Sequence, residues 1–461
     1  MTLEKKKFDY KWVILILATM MVFVCLGFCS SNKGLYLSAI TEALGVKRSL
    51  FSINDSCRFI AQAVINLFFG SLIYRYGIKK MVAFGFFSLI LAMLIYAFSD
   101  KIYLFLYNLL PVSITAALGL TSDIKHSIYI FYLGGIMLGI GLTFTTTTMA
   151  SSIVRRWFKK DIGKYTGIVF ASNGVGGAVA AQIVTPMIND PNNAFGYRNA
   201  YLLVCALLVI IGVLILIFLK ERPKDDSAEP VPVKKKARGA IWSGIDYKTA
   251  IRSPFFYLAG LCVFFTGFSL QGIGGVYAAH MKDVGLTPEF VATVSSVYSL
   301  CLTVSKLAVG AMYDRFGLRT VMLVCQSAAV IAFICLAMLT VSLVSGFATA
   351  AIVVAFVFAV LYALALPLET LVIPLIANEL FGSKSFDKLL GLLSAMNYAG
   401  YALGGPIVNL SFDAWGTYKP VLLAMSGITV IMLFVFQLVI NIASKKRKAI
   451  LAAEEAAKVN S

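Results

Sequence analysis

Five charged side chains stand inside stretches otherwise made of apolar residues: Lys33, Asp55, Arg58, Lys306 and Glu369. At the centre of a membrane-spanning helix such a group costs about 2.5–3.5 kcal/mol, so each needs a partner or an aqueous cavity. Asp55 and Arg58 are three residues apart and can neutralise each other on one helical face. Lys306 and Glu369 can form a second pair, either structural or functional. Three cations against two anions leave a positive surplus, to which His280 can add. A chamber with that balance suits an anion. Lys33, Arg58, Lys306 and His280 are then the carboxylate-binding candidates, and Glu369 and Asp55 the proton-carrying ones. Asn173, Gln271, Asn397, Tyr398 and Tyr401 can line the chamber, with packing as the competing reading for each.

The elements that must hold these residues are transmembrane helices. The chain has 461 residues, of which 59% are hydrophobic and 13% charged, and its mean hydropathy is +0.86. That composition excludes a soluble globular domain. A helix crosses the hydrocarbon with about 20 mostly apolar residues, and twelve such stretches are predicted, at 12–41, 50–73, 80–98, 127–152, 164–188, 198–219, 255–280, 289–312, 319–341, 348–377, 387–411 and 418–441. Helix periods place Lys33 and Arg58 roughly 13 Å below the outer helix ends, and Lys306 and Glu369 about 10–13 Å above the inner ends.

A net charge of +18 raises the question of nucleic acid, which the placement of the charge answers. Of the 40 Lys and Arg residues, 30 lie in the termini and even-numbered loops, seven in odd-numbered loops and three inside helices. This asymmetry predicts both termini and the loop at 220–253 in the cytoplasm of a multi-pass plasma-membrane protein, so no nucleic-acid partner is required. The first apolar stretch is too long for a signal peptide and is expected to remain as helix one. The eight cysteines show no CxxC and no pairing pattern, and two histidines are too few for a His-rich metal site. Neither a metal nor a cofactor is expected. No nucleophile elbow, HExxH or carboxylate dyad suggests an enzyme.

The chain repeats itself. GSLIYRYGIKK (70–80) returns 240 positions later as GAMYDRFGLRT (310–320), and residues 27–46 lie over 267–286 at the same offset. At an offset of 224, KYTGIVFASNGVGG (164–177) lies over KLLGLLSAMNYAGY (388–401), pairing Asn173 with Asn397. The change of offset puts an insertion of the first half at about 99–126, on the outer side, as an interfacial or re-entrant flap or a plain long loop. The predicted organisation is a six-helix bundle over 1–219, a cytoplasmic linker over 220–253, a second six-helix bundle over 254–441 and a cytoplasmic tail over 442–461. It is an all-α membrane fold with two pseudo-symmetric halves, expected to work as a monomer.

The repeated loop resembles the signature of the major facilitator superfamily, a Gly, Asp-Arg, Gly, basic pattern after helices two and eight. Gly310, Asp314, Arg315, Gly317 and Arg319 fit it fully; Gly70, Arg75 and Gly77 fit it with Tyr74 in place of the acid. The glycines at 70 and 310 are expected to let helices approach closely, and those at 77 and 317 to permit a tight turn. In that family the loop acid is associated with stabilising the outward-facing state, so Tyr74 implies a weaker latch, or a tyrosine hydrogen bond in its stead. The stretches 34–52, 155–177 and 195–203 resemble the branch of monocarboxylate transporters and oxalate:formate antiporters. That resemblance implies a substrate site near the midplane between the halves, with a basic residue of helix eight on the substrate carboxylate, and Lys306 occupies what looks like that place. Lys stands where Arg is usual, a point charge in place of a fork, and Leu302 stands where several members carry an acid, with Glu369 as its substitute. The implied activity is alternating-access transport of a small organic anion, by proton symport if a carboxylate on Lys306 releases Glu369 to take up a proton, or by anion exchange if Glu369 never titrates. The alternative is an exporter of drugs or other cationic or neutral molecules, whose cavity should be net acidic and whose fifth helix should carry Gly-Pro pairs; this one has none.

Overall fold

A computed structural model describes residues 10–117, 119–158, 162–193, 195–221, 245–382 and 386–459. In chain order, the first half contains α1 (Lys11–Val22), a π-helical stretch (Phe23–Phe28), α2 (Lys33–Leu44), α3 (Arg48–Tyr76), α4 (Ile78–Ala97), α5 (Ser99–Leu109), α6 (Val112–Ala117), a 3-10 turn (Ile124–Ser127), α7 (Ile128–Thr145), α8 (Thr147–Trp157), α9 (Ile162–Ile188) and α10 (Gly196–Phe218). The second half contains α11 (Tyr247–Ile251), α12 (Pro254–Asp283), α13 (Pro288–Met338), α14 (Val341–Gly346), α15 (Ala348–Ala365), α16 (Pro367–Thr370), α17 (Val372–Phe381), α18 (Phe386–Trp415) and α19 (Lys419–Val459). Most of the predicted linker, residues 222–244, lies outside the described residues.

Among the described residues ten helical stretches are long and apolar enough to cross a membrane. The other two spans are α3 and α18, with 29 and 30 residues. Both have the length to cross but are diluted by polar residues, Asn54, Asp55 and Arg58 in one and Asn397, Asn409 and Asp413 in the other. The fold is therefore all-helical with twelve spans in two halves. α13 carries two of them, turned at Gly317 (φ 78°) inside an otherwise continuous run.

Three spans predicted as continuous are broken. Span one unwinds at residues 29–32, between the π-helical stretch and α2. Span four breaks at Thr146 (φ −116°, ψ −144°). Span ten is cut at Leu366 and Leu371, isolating the four-residue α16. At the breaks of spans one and four, amide and hydroxyl donors meet nearby carbonyls: Asn32 Nδ2 donates to the Gly27 carbonyl at 3.4 Å and to the Gly177 carbonyl of α9 at 2.9 Å, and Thr143, Thr145 and Thr146 donate to carbonyls four residues back at 3.0, 2.9 and 2.6 Å. Backbone inside a membrane tolerates interruption only with such replacement.

Contacts divide the chain into two compact units, Met1–Gly45 with Ala61–Val233, and Val46–Ile60 with Lys234–Ser461. The predicted boundaries keep residues 1–219 together, whereas the start of α3 groups with the second unit. Its anchoring explains why. The Asp413 carboxylate accepts from the backbone N–H groups of Arg48 and Ser49 at 3.3 and 3.1 Å, capping the helix. The Arg48 guanidinium forks onto Asp283 at 2.5 and 2.8 Å and lies 3.8 Å from the Phe412 ring centre.

The sequence repeat reappears as a packing repeat in each unit. In the first, a Cβ on Gly27 would stand 2.7 Å from Gly176 Cα, and one on Gly176 would strike the Phe23 carbonyl. In the second, a Cβ on Gly267 would stand 2.6 Å from Asn397 Nδ2, and one on Gly400 would strike the Phe264 carbonyl. Glycine at these positions lets two helices touch through their backbones. The insertion folds as α5, α6 and the 3-10 turn, with Tyr103 buried beside Ile95 and Ile130 and its hydroxyl donating to the Thr121 carbonyl at 2.5 Å.

Candidate functional site

Span ten carries Glu369 on α16, between its two breaks. The side chain is 7% exposed. Gln271 Nε2, from α12, donates to Glu369 Oε2 at 2.8 Å, and the Tyr401 phenol of α18 faces the same carboxyl. Lys306 of α13 lies within electrostatic range of Glu369. A tyrosine layer backs the group: Tyr362 donates to the Leu270 carbonyl at 2.5 Å, and its ring centre lies 5.4 Å from that of Tyr298. Tyr298 and Tyr362 were not anticipated as site residues. Their signal is positional only, eight residues before Lys306 and seven before Glu369.

Arg58 and Asp55 lie in the part of α3 that groups with this same unit. Their ion pair measures 3.2 Å, and Arg58 is 2% exposed. An aromatic cluster links them to Glu369. The Phe59 ring centre is 4.9 Å from Tyr401 and 6.5 Å from Tyr398, and Tyr398 is within electrostatic range of both Arg58 and Glu369. Seven of the residues expected from the sequence, Arg58, Asp55, Lys306, Glu369, Gln271, Tyr398 and Tyr401, are thus gathered in one unit.

The remaining candidates stand elsewhere. Lys33 is the first residue of α2, immediately past the break of span one. Beside it, Ser31 donates to Asn173 Oδ1 at 2.8 Å. Asn397 is buried, and its Nδ2 donates to the Val263 carbonyl at 3.0 Å, so this amide holds α12 to α18. His280 does not join the Glu369 group. It lies nine residues beyond Gln271 on α12, about 13 Å along the axis, buried with Nε2 3.0 Å from the Leu336 carbonyl and its ring against Tyr418.

Spans four and ten break at matching places: at the offset of 224 that aligns spans five and eleven, Thr146 falls on Thr370. Interrupted helices in corresponding positions of two repeats are the strongest pointer to a transport site. Glu369 lies on one of them.

The two repeated loops share a geometry. Gly77 and Gly317 have φ of 81° and 78°, which glycine adopts without strain. Arg75 and Arg315 each lie over the following ring, Tyr76 at 5.4 Å and Phe316 at 5.1 Å. Each loop also receives a carboxylate at the start of the helix that follows. Glu221 accepts from the Lys79 N–H at 3.2 Å, and Glu379 accepts from the Leu318 N–H and the Tyr313 hydroxyl. Arg319 donates to Gln437 at 3.1 Å. Two expectations change here. Tyr74 is 94% exposed and takes no buried hydrogen-bonding place of an acid. A Cβ on Gly310 would meet nothing within 4 Å, so close approach does not explain that glycine. The surroundings of Gly70 and the side chain of Asp314 lie outside what the structure describes.

The profile of the Major Facilitator Superfamily matches residues 15–270 and again 259–460. The chain is 24% identical to multidrug resistance protein 2 of Bacillus subtilis (strain 168) over 76% of its own length and 78% of that protein. It is 21% identical to the sialic acid transporter NanX of Escherichia coli (strain K12), over 61% and 60% of the two chains. Among solved structures, the nucleoside transporter NupG superposes with a TM-score of 0.65 at 15% identity, covering 94% of this chain and 99% of that one. A bacterial homolog of the human lysosomal transporter Spinster superposes at 0.65 with 14% identity, covering 95% and 98%. These structural likenesses speak to fold.

Proposed function

Since the chain belongs to the major facilitator superfamily and is a multi-pass membrane transporter rather than an enzyme, we propose that its cargo is a small organic anion, a carboxylate of the monocarboxylate or sugar-acid kind, moved across the plasma membrane by a monomer. The observation that carries this reading is the group of Lys306, Gln271 and Glu369 on an interrupted span, with Arg58 reached through Tyr398. Lys306 offers a carboxylate a charge-assisted hydrogen bond. Once a substrate occupies that lysine, Glu369 loses its countercharge inside an apolar tyrosine shell and takes up a proton, with Gln271 holding the carboxyl in place through the exchange. The cycle is then proton symport. With Glu369 permanently ionised, the same site exchanges one anion for another. The distribution of the basic residues supports a cytoplasmic side for both termini. That a similar protein is named a sialic acid transporter agrees with an acidic cargo.

One observation favours a second reading. Glu369 among Tyr298, Tyr362, Tyr398 and Tyr401 is also an environment for a lipophilic cation, and a similar protein is named for multidrug resistance. A thermal-shift screen of the purified protein separates the two, because a ligand of the folded state raises its melting temperature. Stabilisation by small carboxylates supports anion transport. Stabilisation by lipophilic cations alone overturns it.

A further inference from the structure

A second polar feature lies inside the second unit, on helices that also bear the Glu369 group. A cavity of about 10 Å³, in which the centre of a water molecule can sit, is bounded by Phe265, Thr266, Ser269 and Leu270 of α12, Gln326, Ala329 and Phe333 of α13, Leu368 of α16, and Thr429 and Met432 of α19. Gln326 is 1% exposed. Neither its Nε2 nor its Oε1 has a hydrogen-bond partner among the described residues. A buried amide with both ends unmet is strongly disfavoured, and inside a lipid-facing bundle no bulk solvent relieves it.

The hydroxyls around the cavity retain acceptor capacity. Thr266 and Thr429 spend their protons on the carbonyls of Cys262 and Met425, at 2.8 and 2.7 Å, and Ser269 turns its proton toward Met425 Sδ at 3.4 Å. Each oxygen can still accept from a guest. The guest must therefore be about one water in size, donate to hydroxyl oxygens and to Gln326 Oε1, and accept from Gln326 Nε2. A cation meets the first demand only, and the lining contains no carboxylate to offset its charge.

We propose that this cavity is a built hydration site, occupied by one structural water that accepts from Gln326 Nε2, donates one proton to Gln326 Oε1 and donates the other to one of the Ser269, Thr266 and Thr429 hydroxyl oxygens. Its size matches the room one buried water needs, and its polar partners reach the two to four that such waters use. Leu368, on its wall, is the neighbour of Glu369 on α16, and Leu270 the neighbour of Gln271. Through Thr266 and Leu368 the site borders a second cavity of the same size that reaches Asn397. The water thus backs the short interrupted helix of span ten with a deformable contact where an apolar side chain would be a fixed one. This assignment holds whatever the transported molecule is.

Radiolytic hydroxyl labelling of the purified full-length protein, read by mass spectrometry, tests it, because radicals form from water held beside a side chain. Met432, 9% exposed, borders the site, while Met21, Met93 and Met281, at most 1% exposed, do not, so the loss of labelling in the variant below is the deciding comparison. The expected result is labelling of Met432 several-fold above those three, in sodium and in choline buffers alike, falling to their level in Gln326→Leu. Wild-type Met432 labelled no more than the three reference methionines overturns the proposal, with no variant required. Met432 labelling that disappears on replacing choline with sodium also overturns it, in favour of a cation.

Discussion

A buried lysine and a buried glutamate on neighbouring helices impose different tests on transport. Lys306→Gln keeps a hydrogen-bond donor and removes the charge. A bond to a charged partner contributes about 1.5–3 kcal/mol, so carboxylate affinity, read as the ligand concentration for half-maximal thermal shift, is expected to weaken roughly 10- to 100-fold. Glu369→Gln mimics the protonated carboxyl and retains a partner for Gln271. Uptake into vesicles should lose its dependence on a pH gradient while binding persists; gradient-driven uptake that survives the substitution rules out Glu369 as the proton carrier. The charged members of this group were legible in the sequence because a charge is costly in lipid wherever it points. Phe59, Tyr298 and Tyr362 were not, since a tyrosine in an apolar helix carries no sign of whether it faces a carboxylate or a leucine. His280 misled for a related reason: its position near a helix end fitted the site, but its ring turns to the Leu336 carbonyl.

Between residue and fold lie the helix starts and helix breaks. Glu221 and Glu379 each supply a carboxylate to a helix that begins after a left-handed glycine, where four N–H groups lack partners and the dipole favours negative charge. Glu221→Ala should lower stability by up to about 1 kcal/mol, the usual scale of a lost cap, seen as a lower melting temperature. Gly77→Ala should cost at least as much, since the added Cβ meets both a φ of 81° and the Glu221 carboxylate. Burial raises the Glu379 carboxyl above its ordinary range, against the opposing pull of Tyr313 and the Leu318 N–H. A raised folded-state value favours the protonated form, so the stability it contributes is present at acid pH and is lost as pH rises through that value. Glu379→Gln should therefore melt higher than wild type at neutral pH, with the difference closing on acidification toward the ordinary glutamate range; a constant difference would refute the assignment. The glycine turns could be foreseen from GxxxxxxG spacing alone. The breaks at 29–32, Thr146 and Leu366 could not, because hydropathy averages over a whole span while an interruption depends on which side chain reaches a freed carbonyl. Pro367 was the one local sign.

At the scale of the molecule, the duplicated halves were legible as two offsets, 240 and 224, on either side of the insertion at about 99–126, and the predicted boundary fails at the start of α3. Residues up to Ile60 group with the second unit and those from Ala61 with the first, so one continuous helix belongs to both. The first turns are held by Arg48, whose guanidinium is clamped by Asp283 and stacked on Phe412. Removing one member of a buried pair strands the other and typically costs about 3–5 kcal/mol, whereas removing both costs far less. Asp283 is partly exposed, which puts Arg48→Gln near the lower end of that range. The double variant Arg48→Gln with Asp283→Asn should recover much of the lost melting temperature, because the stranded charge is gone. It should also change the turnover of vesicle uptake, because the same clamp that stabilises the fold restrains the helix both units share. Single and double variants with additive losses in melting temperature would mean that Arg48 is held by Asp413 and the aromatic rings, and that the Asp283 pair contributes nothing of its own.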